Sequence, residues 1–432
     1  MIRIIECDNP QEAPRLLGRQ DEVLQQVDDT VAAILADVKA RGDEAVKEYT
    51  ARFDGAEIDR LELDPVEMSE AGSRVDKAFL DVMNKAAENI RVFHAQQQRT
   101  GYILTPRDGV VMGQRVLPLE RVGVYIPGGT ASYPSSVLMN VIPAKLAGVG
   151  QVVLVTPPGA DGRISDDILA AAKIAGADRV FLMGGAQAVA ALSYGTESVP
   201  KVDKIVGPGN IYVATAKRMV YGLVDIDMIA GPSEVLIIAD ENSDPEHIAV
   251  DMLSQAEHDK LASAVLVTTD RELALKVATE IEHQLKTLPR AEIARAAIED
   301  NSAVFIVGSL DDALAVSNAI APEHLEICLD QPFALLSGVR HAGSVFLGRQ
   351  TSESLGDYFA GPNHTLPTSG TARFSSPLGV DDFVKTSSFL YYDQKAMAAV
   401  AESVGMFAER EGLYAHAKSA RIRGKNETED LQ

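Results

Sequence analysis

Gln255 and His258 stand three residues apart near the end of a helix that Ser243-Asp244-Pro245-Glu246 is well suited to start. That tetrapeptide offers a capping residue, an early proline and a Glu able to reach back to the cap. At that spacing an amide oxygen and an imidazole project from one helix face and can grip a single ion. His247 lies about 16 Å further back along the same axis, too far to share it. Taken alone, a helical Gln-x-x-His pair is more often solvated than metal-bound, so further ligands must come from elsewhere. The candidates are Glu353-Ser354-Leu355-Gly356-Asp357 and Glu411-Gly412-Leu413-Tyr414-Ala415-His416, each of which on spacing alone is also a solvated face or a loop. Cys7 and Cys328 are the only cysteines and have no CxxC partner, so a disulfide framework and a thiolate zinc site are both excluded. A metal would have to use His, carboxylate or amide ligands.

Pro322-Glu323-His324 closes a helix running from Asp311 to Ile320 and precedes the apolar run Leu325 to Leu329. A Glu-His dipeptide at such a junction can offer one cleft a carboxylate and an imidazole, the groups most used for proton transfer near neutral pH. A helix-end His set against the dipole, beside a surface Glu, is an equal reading. His94, His283 and His341 have no acids or glycine turns nearby and read as structural.

Three glycine turns form a second group: Gly128-Gly129, Gly184-Gly185 and Gly207-Pro208-Gly209, each between a predicted strand and a predicted helix. Strand, glycine turn and helix N-terminus together make an anion site, because free backbone N–H groups point at the ligand. Any one such pair can merely be a tight turn, but three at strand ends suit a dinucleotide, since ligands of open sheets gather at those ends. Tyr125, Gln187 and Asn210 lie beside the turns and offer a phenol and two amides. No GxGxxG opens a helix anywhere in the chain.

The elements that must position these groups follow from periodicity. From about Val23 to Thr100 the pattern is mostly helical, with apolar residues at three- and four-residue spacing in Val31 to Tyr49 and Val75 to His94. Strand-like runs then alternate with helices: Val122 to Ile126, Val152 to Thr156, Arg179 to Met183 and Lys204 to Val206. The pattern restarts with Val235 to Ala239, Ala264 to Thr268, Ala303 to Val307 and Ser344 to Leu347. Two successive open α/β parallel-sheet units are therefore expected, with a boundary near Gly231-Pro232. The expected divisions are a helical N-terminal region (1–115), two α/β domains (116–231 and 232–375), and a helical extension (376–432) that contains Gln394 to Arg423 and a polar tail.

Lys and Arg total 40 against 62 Asp and Glu, a formal charge of -22, which repels phosphate backbones and anionic membranes and argues against nucleic acid as a partner. Neither a signal-peptide run nor a membrane-length apolar segment is found, so a cytoplasmic protein is expected.

Taken together these segments resemble the histidinol dehydrogenase family over nearly the whole chain, from Arg41-Gly42-Asp43-Glu44-Ala45 to His416. The stretches that carry the resemblance are GVYIPGGTASYPSSVLM from Gly123, GGAQAVAAL from Gly184, VGPGNIYVATAKR from Val206, DIDMIAGPSEVLIIAD from Asp225, LSQAEHD from Leu253, APEHLEI from Ala321, GDYFAGPNHTLPT from Gly356 and EGLYAH from Glu411. Eight such segments in one order are beyond chance. The resemblance implies Rossmann-like sheets and one Zn²⁺ per subunit, held by Gln255, His258 and Asp357 with His416 from the other subunit of a homodimer. It assigns Tyr125, Gln187 and Asn210 to NAD. It assigns Ser233, His324, Asp357 and Glu411, with the metal ligands, to L-histidinol, and extends to Glu353 and His364. His324 would move the alcohol proton and Glu323 would activate water to hydrate the aldehyde. Where the family often has proline soon after the metal-binding His-Asp, this chain has Lys260-Leu261, a change that leaves the ligands themselves in place.

Two rival readings remain at this level. A paralogue could oxidise another polyol or amino alcohol, although Glu353, Asp357 and Glu411 suit a cationic substrate better than an anionic one. A non-catalytic NAD- or metal-binding protein could keep the fold, but Glu323, His324 and the expected ligands are all present.

Overall fold

The structure is a computed structural model that describes residues 1–17, 24–128 and 132–425. Gly129 of the first glycine turn, Val23 at the start of the helical region and residues 426–432 of the polar tail lie outside the described residues. The chain divides into two compact units, Met1–Gln97 with Leu119–Phe383, and Gln98–Pro118 with Val384–Gln432.

The larger unit holds two open parallel sheets. Across the first run Arg179–Leu182, Gln151–Thr156, Arg121–Tyr125, Lys204–Val206 and Asp225–Ile226. The chain enters in the middle at Arg121–Tyr125, winds outward to one side, then returns to pair Lys204–Val206 on the other. The order therefore reverses between Tyr125 and Gly207. Helices cover both faces, so the strands are apolar throughout rather than alternating: Val152 to Val155 are all buried.

The second sheet runs Arg3–Glu6, Ala303–Ile306, Ser263–Thr268, Glu234–Ala239, His324–Cys328 and Ser344–Leu347, again all parallel. Two of its strands were not expected from the sequence. Arg3–Glu6 is a four-residue edge strand recruited from the N-terminus, and His324–Cys328 is a central strand that begins at the Glu-His dipeptide itself. The preceding helix, Leu310–Ile320, ends on Ala321, whose φ of 55° is left-handed, and Pro322 cannot continue a helix. The chain is thereby turned sharply into the strand with Glu323 and His324 at its mouth.

The smaller unit has its own antiparallel sheet, with Val110–Pro118 between Tyr102–Arg107 and Val384–Tyr392. The expected long terminal helix is two helices, Gln394–Arg410 and Tyr414–Gly424, broken at Gly412, whose φ is 77°. Arg421 on the second pairs with Glu402 and Glu409 on the first. Among the described residues, no helix is long and apolar enough to cross a membrane.

One buried ion pair fixes the turn at the reversal point of the first sheet. Gly207 has φ 109°, and a Cβ there would stand 2.1 Å from the carbonyl oxygen of Tyr125. Its N–H donates to Asp227 Oδ2 at 2.7 Å, and its carbonyl accepts from Lys217 Nζ at 3.0 Å. Lys217 and Asp227 in turn pair with each other, with side chains only 2% and 1% exposed. Removing one partner leaves an uncompensated buried charge. We expect Lys217→Met to cost roughly 3–5 kcal/mol in urea unfolding, and Lys217→Met with Asp227→Leu to recover a good part of that loss. An unchanged midpoint for the single variant would show that the pair does not hold the turn.

Candidate functional site

Two places in the larger unit gather the candidate residues. The first is a cavity of about 1120 Å³ at the carboxyl edge of the first sheet, lined by Tyr125, Gly128, Gly185, Gln187 and Asn210 among others. Helices Gly185–Tyr194 and Ile211–Val220 start there, directing their positive dipole ends toward it. Asn210 caps the second helix by accepting from the backbone N–H groups of Tyr212 and Val213 at 3.1 and 3.2 Å. The Tyr125 hydroxyl accepts from the Gly185 N–H at 3.1 Å, which leaves its own proton to donate. Burial pushes the Tyr125 phenol up to about 12, so it remains a neutral donor. Gln187 is buried, yet neither its Oε1 nor its Nε2 has a hydrogen-bond partner. A sealed amide with both ends unmet is costly unless a ligand meets it, so this cradle fits a dinucleotide.

The second place lies at the amino edge of the second sheet, the opposite edge from the usual one. His324 is the first residue of its strand and is buried. Its Nδ1 lies 3.0 Å from the Glu234 carbonyl oxygen, which can only accept, so Nδ1 carries a proton and the neutral ring has its lone pair on Nε2. That Nε2 has no hydrogen-bond partner and stands 3.6 Å from Asp357 Oδ1. Glu323 Oε2 accepts from the Glu234 N–H at 2.9 Å and lies 3.7 Å from the ring, while Glu353 Oε1 is 4.0 Å from Nδ1.

Electrostatics follow from this crowding. Burial drives both Glu323 and Glu353 up to about 8, with the His324 charge partly opposing it. Burial alone would lower His324, but the fields of Glu353 and Glu323 and the contact with Asp357 raise it well above the ordinary imidazole range. For Asp357 burial pushes upward, yet the His324 contact and the His364 and His258 rings hold its carboxyl below the usual value.

The helix Pro245–Ala256 returns from the far edge and ends at this site, so its negative dipole end faces inward and favours a cation. Gln255 sits in its last turn, with Nε2 3.3 Å from His324 Nδ1 and Oε1 buried without a partner. His258 falls just beyond the helix rather than within it. Its Nδ1 donates to the Ser254 carbonyl at 3.1 Å, which leaves Nε2 with its lone pair, the usual state of a metal-binding imidazole. His364 donates from Nδ1 to the Asp357 carbonyl at 2.9 Å and meets Ser136 Oγ at 3.2 Å through Nε2. Ser233 directly precedes Glu234 and is half-buried. Glu411 and His416 belong to the smaller unit, where both are exposed.

Beneath the site lies a pair that sequence reasoning did not single out. Glu326 is fully buried, accepts the Glu353 N–H at 2.7 Å and bonds to Asp251. Burial raises both, Asp251 to about 6. The available signal was period two: His324, Glu326 and Cys328 share one face of the strand, and Asp251 lies one turn before Gln255.

Two donor sets could hold an ion here. His324, Glu353 and Asp357 have ligand atoms within 4.8 Å of one another. The set expected from the sequence, Gln255, His258 and Asp357, is the other. Glu353 approaches the Nδ1 edge of His324, which Glu234 already occupies, while Gln255 Oε1 is buried without a partner and His258 acts on the charge of Asp357.

Comparison with known proteins adds the following. The histidinol dehydrogenase family model matches residues 17–424. A histidinol dehydrogenase of Bacillus cereus (strain ATCC 10987 / NRS 248) is 55% identical over 96% of each chain. One from Syntrophotalea carbinolica is 53% identical over 99% of this chain and 100% of its own. The crystal structure of histidinol dehydrogenase from Elizabethkingia anophelis superposes with a TM-score of 0.92 at 37% identity, covering 98% of both chains.

The two donor sets make opposite predictions for bound Zn²⁺ measured by atomic absorption after dialysis. Gln255→Ala and His258→Asn should each fall well below one ion per chain, and Glu353→Gln should stay at the wild-type value. The reverse pattern would move the ion onto His324 and Glu353.

Proposed function

The chain belongs to the histidinol dehydrogenase family and is an oxidoreductase, and from that premise we propose that it oxidises L-histidinol to L-histidine through L-histidinaldehyde in two NAD-dependent steps. These are the closing reactions of histidine biosynthesis, and we place them in the cytoplasm. The observation that carries the reading is the His324 ring, with Nδ1 committed to a backbone carbonyl and Nε2 open beside Asp357.

Gln255, His258 and Asp357 hold one Zn²⁺ per subunit, with the partner subunit's His416 completing the set in a homodimer. When bound, the ion supplies a Lewis-acidic anchor that orients the amine and imidazole nitrogens of the substrate. Glu353, Asp357 and Glu411 surround that cationic substrate, and Ser233 adds a hydrogen bond. Tyr125, Gln187 and Asn210 bind NAD, the positive helix ends of the cavity suiting its diphosphate. We read residues 116–231 as the cofactor half and 232–375 as the catalytic half.

His324, once its ring is neutral, accepts the alcohol proton at Nε2 as the carbinol carbon loses hydride to NAD. The aldehyde stays in the cleft. Glu323, once ionised, takes a proton from water as the water adds to the aldehyde carbon and His324 gives its proton to the carbonyl oxygen; the ring, neutral again, then takes the proton of the hydrate as the second hydride leaves to a second NAD. Burial of the whole array limits escape of the reactive amino-aldehyde.

Glu323→Gln should slow aldehyde oxidation by about a hundredfold or more while slowing alcohol oxidation far less, read from single turnovers started with each substrate. Equal losses would end this division of labour. Because Glu323 is raised to about 8 and must be ionised to serve as base, the aldehyde step should accelerate as pH rises toward about 8 and level off above it. In Glu323→Gln that rise should vanish. His416→Asn should lower bound zinc; an unchanged stoichiometry would remove His416 from the ligand set.

A further inference from the structure

Glu326 is fully buried in a central strand of the second sheet, two residues beyond His324 and on the same face. Nothing in the proposed chemistry uses it. Its Oε1 accepts from the Glu353 N–H at 2.7 Å, and its carboxyl also bonds to that of Asp251 on the helix Pro245–Ala256. Ionised carboxylates only accept, so the bond between the two acids needs one proton held between them. A buried pair of this kind is less favourable than well-packed apolar residues would be. What the acid provides is the bond to Glu353.

Glu353 opens the three-residue helix Glu353–Leu355, which runs on into the π-helical turn Gly356–Ala360. The first N–H groups of a helix have no partner within it and are often met by the side chain at the N-cap. Ser352 holds that position but makes no side-chain cap bond, and its hydroxyl lies 2.9 Å from Ser354 Oγ instead. Glu326 takes over the role from a strand distant in sequence. Further along, a Cβ at Gly356 would stand 2.5 Å from the Phe346 ring, and Asn89 Nδ2 donates to the Phe359 carbonyl at 2.8 Å. The segment is thus located at its start, middle and end. Its two acids, four residues apart, both reach the imidazole: Glu353 Oε1 lies 4.0 Å from His324 Nδ1, and Asp357 Oδ1 lies 3.6 Å from Nε2.

We propose that Glu326, steadied by Asp251, is a positioning residue that fixes the start of residues 353–357 and so sets Glu353 and Asp357 at the two nitrogens of His324. The inference rests on the reading of His324 as the base of histidinol oxidation. Glu326 acts only through these two acids and takes no part in proton or hydride transfer.

The test separates position from stability in the full-length, zinc-loaded chain. Its readouts are kcat for L-histidinol oxidation, the rate of zinc release into a chelator, and the urea midpoint. Glu326→Gln keeps both bonds, because its Oε1 accepts from Glu353 and its Nε2 donates to Asp251. For this variant kcat and zinc release should stay within about threefold of wild type, against a loss of roughly ten- to a hundredfold in both for Glu326→Leu. Glu326→Leu combined with Asp251→Leu replaces the acid pair by an apolar one, so its urea midpoint should return to the wild-type value or rise above it. Its kcat and zinc release should nevertheless stay as impaired as in Glu326→Leu, and this variant carries the test if the single one does not fold. A merely structural pair would regain activity along with stability. That recovery, or equal losses in Glu326→Gln and Glu326→Leu, would overturn the proposal. A wild-type chain that leaves L-histidinol unoxidised would overturn the functional reading, and the zinc release rates of the variants would still decide the role of Glu326.

Discussion

Glu323, Glu353 and Glu326 are buried around one imidazole, and sustaining that concentration of acid is the constraint on which the proposed catalytic half depends. An isolated carboxylate taken out of water costs several kcal/mol unless it is protonated, paired or hydrogen-bonded. All three devices are present. Backbone N–H groups of Glu234 and Glu353 serve Glu323 and Glu326, His324 offsets its neighbours, and burial raises the carboxyl groups toward neutrality. With the C-terminal end of the helix Pro245–Ala256 added, the cleft is a trap for positive charge. A divalent ion and a cationic amino alcohol are what such a cleft would hold, which is why the proposed zinc and histidinol belong to one argument.

The two sheets use opposite edges and opposite polarity. In the first, helices begin at the carboxyl edge and present positive ends to a cavity suited to phosphates; in the second, a helix ends at the amino edge and presents a negative one. Direct bonds join these two halves of the larger unit. From the helix Pro134–Ala147, Ser136 meets His364 and Asn140 donates to Thr365 Oγ1 at 3.2 Å. Asn363 returns a bond to the Met139 carbonyl at 2.6 Å. The segment after Asp357 is thus pinned to an element whose own start follows the cavity of the first sheet, which gives the proposed hydride donor and acceptor sides a common scaffold.

Most of this architecture is legible in the sequence because buried parallel strands leave an unmistakable trace. Val152 to Thr156 and Val235 to Ala239 are short, continuous β-branched and aliphatic runs between turns, and their length and composition mark them as buried strands. Elements without that trace escaped. Tyr102–Arg107 is exposed along its length, so neither alternation nor an apolar run marks it, and Val384–Tyr392, on the other side of Val110–Pro118, is little better. Arg3–Glu6 is too short, and His324–Cys328 hides because polar His324 and Glu326 interrupt its apolar face. The same blindness affects the site. Asp251 and Glu326 have the letters of surface acids, and only burial separates them from the many that are solvated. Gln187 and Asn210 became candidates because glycine turns flank them, and Glu323 and His324 because the dipeptide sits at an element junction.

The account stands or falls on whether both oxidations occur in one cleft. Purified, zinc-loaded protein should be given limiting L-histidinol with excess NAD, and the NADH formed counted per histidinol consumed. The mechanism predicts two, lost on chelation and restored by Zn²⁺. One would mean that the aldehyde escapes and that Glu323 does not hydrate it, and none from folded, metal-loaded protein would contradict the proposed substrate itself.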